Sequence, residues 1–172
     1  MTAADPTTER LERLLAEHGA AVARVAASYE RDRGRQQDLV QEIAVALWRA
    51  LPGFRGDCSE RTFVLRIAHY RGITHSTRRP PAGITLEEVA EPAAPEPGPE
   101  RGAAARQRVR RLRRALPDLP FGQRQVLVLA LEGLSHREIG EVLGLRENAV
   151  AVRLNRARQA LRARLAAEET RR

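Results

Sequence analysis

Residues 80–100, PPAGITLEEVAEPAAPEPGPE, most constrain what this chain of 172 residues can fold into. Six of them are proline, five are glutamate and none is arginine. Such a stretch cannot bury enough apolar surface to offset its chain entropy. Its prolines also interrupt any long helix or central strand. It reads as a flexible acidic tether, so the chain is expected to fold as two small modules joined by it. The expected partition is a module over 7–79, a linker over 80–104 and a second module over 105–167.

Both modules read as helical. Over residues 7–30, Leu11, Leu14, Leu15, Val22 and Val25 fall at helical spacing. A second helix is expected over 36–51, with Leu39, Ile43, Ala46, Leu47 and Ala50 on one face and Pro52-Gly53 as its stop. After the polar loop FRGDCSE, a third helix is expected over 60–77. There Phe63, Ile67 and Tyr70 recur at i, i+4, i+7, the spacing of a packed face. Residues 126–131, VLVLAL, are short, apolar and flanked by helix formers, and read as buried helix. The fold class is therefore all-α. Aromatic residues are only 3% of the chain, which leaves Leu, Val, Ile and Ala to build the cores.

The formal charge is +8, and every basic residue is arginine. The excess is uneven: residues 1–79 hold 13 arginines against 10 acids, and residues 101–172 hold 17 against 7. A basic C-terminal module favours a polyanionic partner over a small acidic substrate. Cys58 is the single cysteine, which excludes an intrachain disulfide and a cysteine-based zinc site. The four histidines are scattered. Paired carboxylates, a nucleophile with its base, and a phosphate-cradling glycine loop are all missing, so neither an enzyme nor a cofactor is expected. No apolar run reaches bilayer length and MTAADPTTER has no signal-peptide core, so a cytoplasmic chain with no membrane insertion is expected.

The C-terminal module carries the sharpest local pattern, SHREIGEVLGLRENAVAVRLNRAR at 135–158. Ser135 and Glu138 make a capping box that starts a short helix. Ile139, Val142 and Leu143 form its apolar stripe, and Gly144 suits a left-handed helix cap. A second helix begins near residue 147, which makes a helix-turn-helix. On this second helix Val150, Leu154, Ala157 and Leu161 face inward. Asn148, Val152, Asn155 and Gln159 share the opposite face, with Arg156 beside them. Asn and Gln pair with adenine edges, Arg with guanine, and Val meets a thymine methyl. Arg153 and Arg158 flank that face, where phosphates would lie. Ser135 and Arg137, at the start of the first helix, complete the expected duplex-contacting set.

The order of motifs resembles the extracytoplasmic-function branch of the sigma-70 family of RNA polymerase sigma factors. DLVQE at 38–42 is similar to the core-binding helix of region 2, and FRGDCSERTFVLRIA at 54–68 to its −10-recognising loop and helix. Residues 119–165 are similar to region 4, the −35 reader. The resemblance implies that Asp38, Leu39, Gln41, Glu42 and Val45 face a polymerase coiled coil. It implies that Arg55, Gly56, Asp57, Cys58 and Ser59 form a pocket for a flipped-out −10 base. Extruding a base costs about a few kcal/mol, so a pocket that satisfies its edge adds selectivity. Arg61, Arg66, Arg71, Arg78 and Arg79 would hold backbone phosphates, with Tyr70 and Thr74 beside them. Phe63 is read as a core residue, and Cys58 as a small loop residue with redox chemistry as the other reading. The resemblance places the tether near the RNA path inside polymerase, where its glutamates mimic nucleic acid; a plain solvated linker is the other reading.

The chain departs from the family pattern in several places. Only Asp38 remains of the acidic cluster before LVQE, where RQQD stands, which predicts weaker intrinsic core binding. Phe63 replaces a usual Trp and Tyr70 a usual Asn. In the recognition helix Ala151 replaces a basic residue and Val152 a small polar one. Arg146 and Ala149 replace a capping Ser and a Thr. These leave the fold intact and alter the promoter sequence expected. The implied function is an alternative sigma factor with core polymerase and −10 and −35 promoter DNA as partners. No sensing domain is expected after about residue 167, so control is assigned to an anti-sigma factor or another protein. The competing reading is a stand-alone helix-turn-helix regulator with a helical interaction domain, which DLVQE and the 54–63 loop disfavour.

Overall fold

A computed structural model describes residues 5–77 and 99–170. The tether over 80–98, with Arg78 and Arg79, lies outside the described residues. Seven α-helices and no strand occur among the described residues.

The N-terminal module is α1 (Pro6–Tyr29), α2 (Arg33–Ala50) and α3 (Glu60–Thr77). Asp5 caps α1 through the Thr7 amide, and Pro6 occupies the first turn, where its missing N–H costs nothing. Asp32 caps α2 by accepting from the Arg35 amide at 2.9 Å. Pro52 ends α2 in a 3-10 turn over Leu51–Gly53. The hydroxyl of Ser59 accepts from the Thr62 amide at 3.0 Å and starts α3. The three helices bury Leu14, Val22, Val25, Leu39, Ile43, Leu47, Val64 and Leu65 almost completely.

The buried side of α3 differs from the expected 63–67–70 stripe. Phe63 is buried and stacks on Phe54, with ring centroids 4.3 Å apart. Tyr70 is 57% exposed. Ile67 packs against the core as expected, and the buried positions of α3 extend through Leu65, Ala68, His69 and Gly72 in place of Tyr70. An apolar period alone could not choose these positions, because His69 takes an interior place that a sequence rule gives to Tyr70.

The C-terminal module is α4 (Pro99–Ala115), α5 (Phe121–Leu131), α6 (His136–Leu143) and α7 (Glu147–Thr170). Helix α4 begins five residues before the end of the expected 80–104 linker. Pro99 is suited to a first helical turn, and the arginine-rich remainder is a good helix former with few apolar positions to reveal its period. Ser135 and Glu138 form the full capping box of α6: Ser135 N–H donates to Glu138 at 2.8 Å and the Glu138 amide to Ser135 at 3.2 Å. Gly144 ends α6 at φ +65°, a left-handed conformation that costs an L side chain about 1–2 kcal/mol. Gly140 allows the tight corner, since a Cβ there would lie 2.6 Å from the Leu145 carbonyl oxygen. Val126, Leu129, Ile139, Val142, Val150, Leu154 and Ala157 fill the core of this module.

The two modules are packed against each other, α5 on α1 and α6 on α3. Their buried apolar residues join in one cluster.

Candidate polymerase and nucleic-acid interfaces

Helix α2 presents one outward face. Asp38, Gln41, Glu42 and Val45 line a shallow groove together with Arg49 and with Arg71 of α3. Four of the five residues expected to meet polymerase thus converge. Leu39 does not: it is fully buried in the module core. On a helix turning about 100° per residue it points away from Asp38, towards Ile43 and Leu47. Its part is to fix α2, and it is removed from the contact surface. Arg71, expected with the −10 set, also lines this groove. Sequence reading missed Arg49, and also Trp48, which is 45% exposed one residue from it. An aromatic at i+7 from Gln41 was the signal available.

The loop between α2 and α3 brings together five of the twelve expected −10 residues. Arg55, Gly56, Asp57 and Ser59 are exposed and Cys58 is half-buried. Gly56 takes φ +80° at the bend. The Arg66 guanidinium lies 3.7 Å from the Cys58 sulfur, so α3 supports the loop from below. Below the loop, Glu60 is bound by Arg13 at 2.8 and 2.9 Å and by Arg10 at 3.1 Å. The hydrogen bonds from Arg13, reinforced by Arg10, hold the Glu60 carboxyl at a pKa of about 2 despite some desolvation. Tyr70 and Thr74 are exposed further along α3, and the Thr74 hydroxyl donates to the Tyr70 carbonyl at 2.9 Å.

Arg61 has a different neighbour from the phosphate expected. Its guanidinium donates to the main-chain carbonyl of Glu132 and lies 3.6 Å from the Glu132 carboxylate. Glu132 is 4% exposed, and Arg24 of α1 grips it in two hydrogen bonds of 2.5 and 2.7 Å. Those hydrogen bonds raise the Arg24 pKa. Nearby, the Thr62 hydroxyl donates to Glu138 at 2.9 Å. Hydrogen bonds from Ser135, backbone first, lower the Glu138 pKa. Tyr29 completes the seam: its hydroxyl bonds His69 and accepts from Gln125 of α5 at 3.2 Å. Burial raises the Tyr29 pKa to about 12 and lowers that of His69 to about 4, so the pair is neutral.

In the C-terminal module the expected sorting of α7 is present. Val150, Leu154 and Ala157 are buried and Leu161 packs against the same core. Asn148, Val152, Asn155, Arg156 and Gln159 are all exposed, as are Arg153 and Arg158 on the flanks. One helix face therefore offers amide and guanidinium donors with a methyl-sized apolar patch, a combination suited to base edges in a major groove. Ser135 is exposed and engaged in its capping box; Arg137 is exposed and lies 3.4 Å from Glu141.

Models of two regions of one family match the chain in order: Sigma-70 region 2 over residues 14–79 and Sigma-70, region 4 over residues 109–161. The RNA polymerase sigma factor CnrH of Cupriavidus metallidurans is 36% identical over 164 residues, 90% of this chain and 86% of that protein. The chain belongs to the sigma-70 family. A further relative in it, the ECF RNA polymerase sigma factor ShbA of Streptomyces griseus, is 32% identical over 74% of this chain and 70% of its own length. The co-crystal structure of the sigma factor RpoE with the anti-sigma factor NepR from Bartonella quintana matches the fold at a TM-score of 0.74 and 20% identity. That match covers 92% of this chain and 98% of that one. In sigma-70 terms, α1–α3 are region 2, and α5–α7 with the C-terminal part of α4 are region 4.

Proposed function

We propose that this chain is an alternative sigma factor of the extracytoplasmic-function type, which binds RNA polymerase core and directs it to its promoters. The observation that carries the reading is the pairing, within one chain and in family order, of the α2 groove with the exposed face of α7. The groove residues Asp38, Gln41, Glu42 and Val45 dock on polymerase. The 55–59 loop with Arg66, Tyr70 and Thr74 takes the −10 strand, and Arg61, Arg78 and Arg79 hold its phosphates. Asn148, Val152, Asn155, Arg156 and Gln159 read the −35 duplex, with Arg153 and Arg158 on its phosphates and Ser135 and Arg137 at its edge. The chain performs no catalysis of its own and acts in the cytoplasm, where polymerase is. The RpoE structure with an anti-sigma factor supports a protein regulator here too. The helix-turn-helix regulator reading is not favoured, because the relatives named above are sigma factors.

Transcription in vitro with purified core on a promoter library tests this. Sequence-specific start sites are expected only when chain and core are both present. Specific footprints by the free chain, with no core-dependent start site, would overturn it.

A further inference from the structure

The 55–59 loop hangs between two stems, Phe54 at its start and Glu60 at its end. Both stems are held by α1, a helix with no assigned part in promoter contact. Arg10 reaches the two of them: its guanidinium lies over the Phe54 ring, 5.2 Å from the centroid, and donates to Glu60 at 3.1 Å. Arg13, about one turn further along, forks the same carboxylate, one nitrogen to each oxygen, at 2.9 and 2.8 Å. That is the geometry of a strong charge-assisted pair. Phe54 also stacks on Phe63, which joins the first stem to α3. Between the stems, residues 55–57 are exposed and bend at Gly56, whose φ is +80°. The side chains of Arg10 and Arg13 remain 37% and 53% exposed. Ion pairs so exposed add only modestly to global stability, so the loop is what this pair organises.

We infer that Arg10 and Arg13 are positioning residues for promoter recognition: by clamping Phe54 and Glu60 to α1 they present the 55–59 loop to the −10 strand already shaped to receive a base. This rests on the sigma-factor reading of that loop. A loop free to sample conformations must be ordered when a base enters, and the cost of ordering is subtracted from affinity. Base capture suffers most, because only one loop shape satisfies a base edge. Attraction to phosphate acts over about a Debye length and tolerates a moving loop. The clamp therefore governs selectivity rather than overall attraction. Its charges agree with that part: unpaired, Glu60 would repel the strand at the foot of the loop, and the two guanidiniums neutralise it.

Two measurements test it. The single cysteine lies in the loop, so a nitroxide on Cys58 of the full chain reports loop motion without core or DNA. The Arg10→Leu, Arg13→Gln double variant is expected to give a more mobile spectrum than the parent, and equal mobility would overturn the clamp. Recognition is read with unlabelled holoenzyme on forked −10 DNA, as affinity for the intact fork over forks made abasic at each −10 position in turn. The double variant should lower the largest of these ratios about fivefold and leave the slope of log affinity against log salt unchanged. Arg10→Lys, which keeps a cation beside Phe54 and Glu60, should recover most of the ratio. Glu60→Gln breaks the clamp from the other side and should lower the ratio too, although its charge change shifts overall affinity the opposite way. A ratio equal to the parent's would overturn the positioning role. So would a slope reduced by about 0.7 per arginine with the ratio intact, the mark of direct contact with single-strand phosphate. Should the double variant lose its helical circular dichroism, an unchanged ratio in Glu60→Gln overturns it instead. A parent holoenzyme that binds no fork and starts no transcript removes the sigma reading, whereas a bound fork indifferent to the clamp removes only the positioning.

Discussion

At position 38 a carboxylate faces solvent, and at position 39 a leucine fills the core of region 2. Truncating each should therefore do different things. Leu39→Ala is expected to cost about 2–5 kcal/mol of stability, the range for emptying a leucine site. Asp38→Ala should change stability by less than about 0.5 kcal/mol while weakening core binding. Urea denaturation alongside a core-binding titration checks both, and a normal core affinity in Asp38→Ala would remove that residue from the interface. The two glutamines before it also divide. The Gln36 amide donates to the Glu30 carbonyl at 2.8 Å and the Arg31 carbonyl at 3.4 Å, so it closes the turn between α1 and α2. A glutamate there would set a carboxylate against two carbonyls. Gln37 is exposed. Gln37→Glu is expected to lower the dissociation constant for core, whereas Gln36→Glu should lower the melting temperature. An unchanged constant in Gln37→Glu would count against weak intrinsic docking.

Among the elements, α3 carries the clearest pH signature. Its first-turn Glu60 has a carboxyl held at about 2 by Arg13 and Arg10. A depressed folded pKa contributes stability above the unfolded value, and that contribution is lost as pH falls from about 4.5 through about 2. Glu60→Gln should thus be less stable than the parent at pH 7, and the gap should close as pH falls through that window. His69 acts at higher pH: burial lowers its folded pKa to about 4, below its ordinary value of 6.5. Stability from the buried neutral ring is full above 6.5 and falls as pH drops towards 4. Thermal melts of parent, Glu60→Gln and His69→Phe across pH 3–8 would resolve the two windows. A Glu60→Gln gap independent of pH would refute the first assignment. Helices α6 and α7 were legible in the sequence because Ser135, Glu138 and Gly144 carry local chemistry that tertiary context need not supply. Helix α4 was not, since arginines dominate its length. The inner face of α3 was misread for a tertiary reason: His69 is buried by Tyr29 of α1, and no local pattern announces that partner. The same holds for Glu132, whose role depends on Arg24, 108 residues away.

For the whole molecule the two kinds of contact on α7 predict different behaviour in holoenzyme. Arg153→Ala and Arg158→Ala should each flatten the dependence of log affinity on log salt by about 0.9, on any promoter sequence. Asn155→Ala should leave that slope alone and relax selectivity at one base pair by about 1–3 kcal/mol. Promoter binding measured over a salt series with matched and mismatched −35 duplexes separates them. A mismatch penalty undiminished by Asn155→Ala would move base reading to another residue of that face.

The seam between the modules also has an optical consequence. Trp48, Tyr29 and Tyr70 are all the tryptophan and tyrosine the chain contains, and all three lie in region 2. Ultraviolet emission therefore reports one half of the protein, while far-ultraviolet circular dichroism reports the helices of both. In the parent chain, with its continuous buried cluster, the two signals should change at one temperature, as a single cooperative unit does. A chain whose halves have come apart should show two transitions, and the tyrosines and tryptophan it already has would be enough to see them.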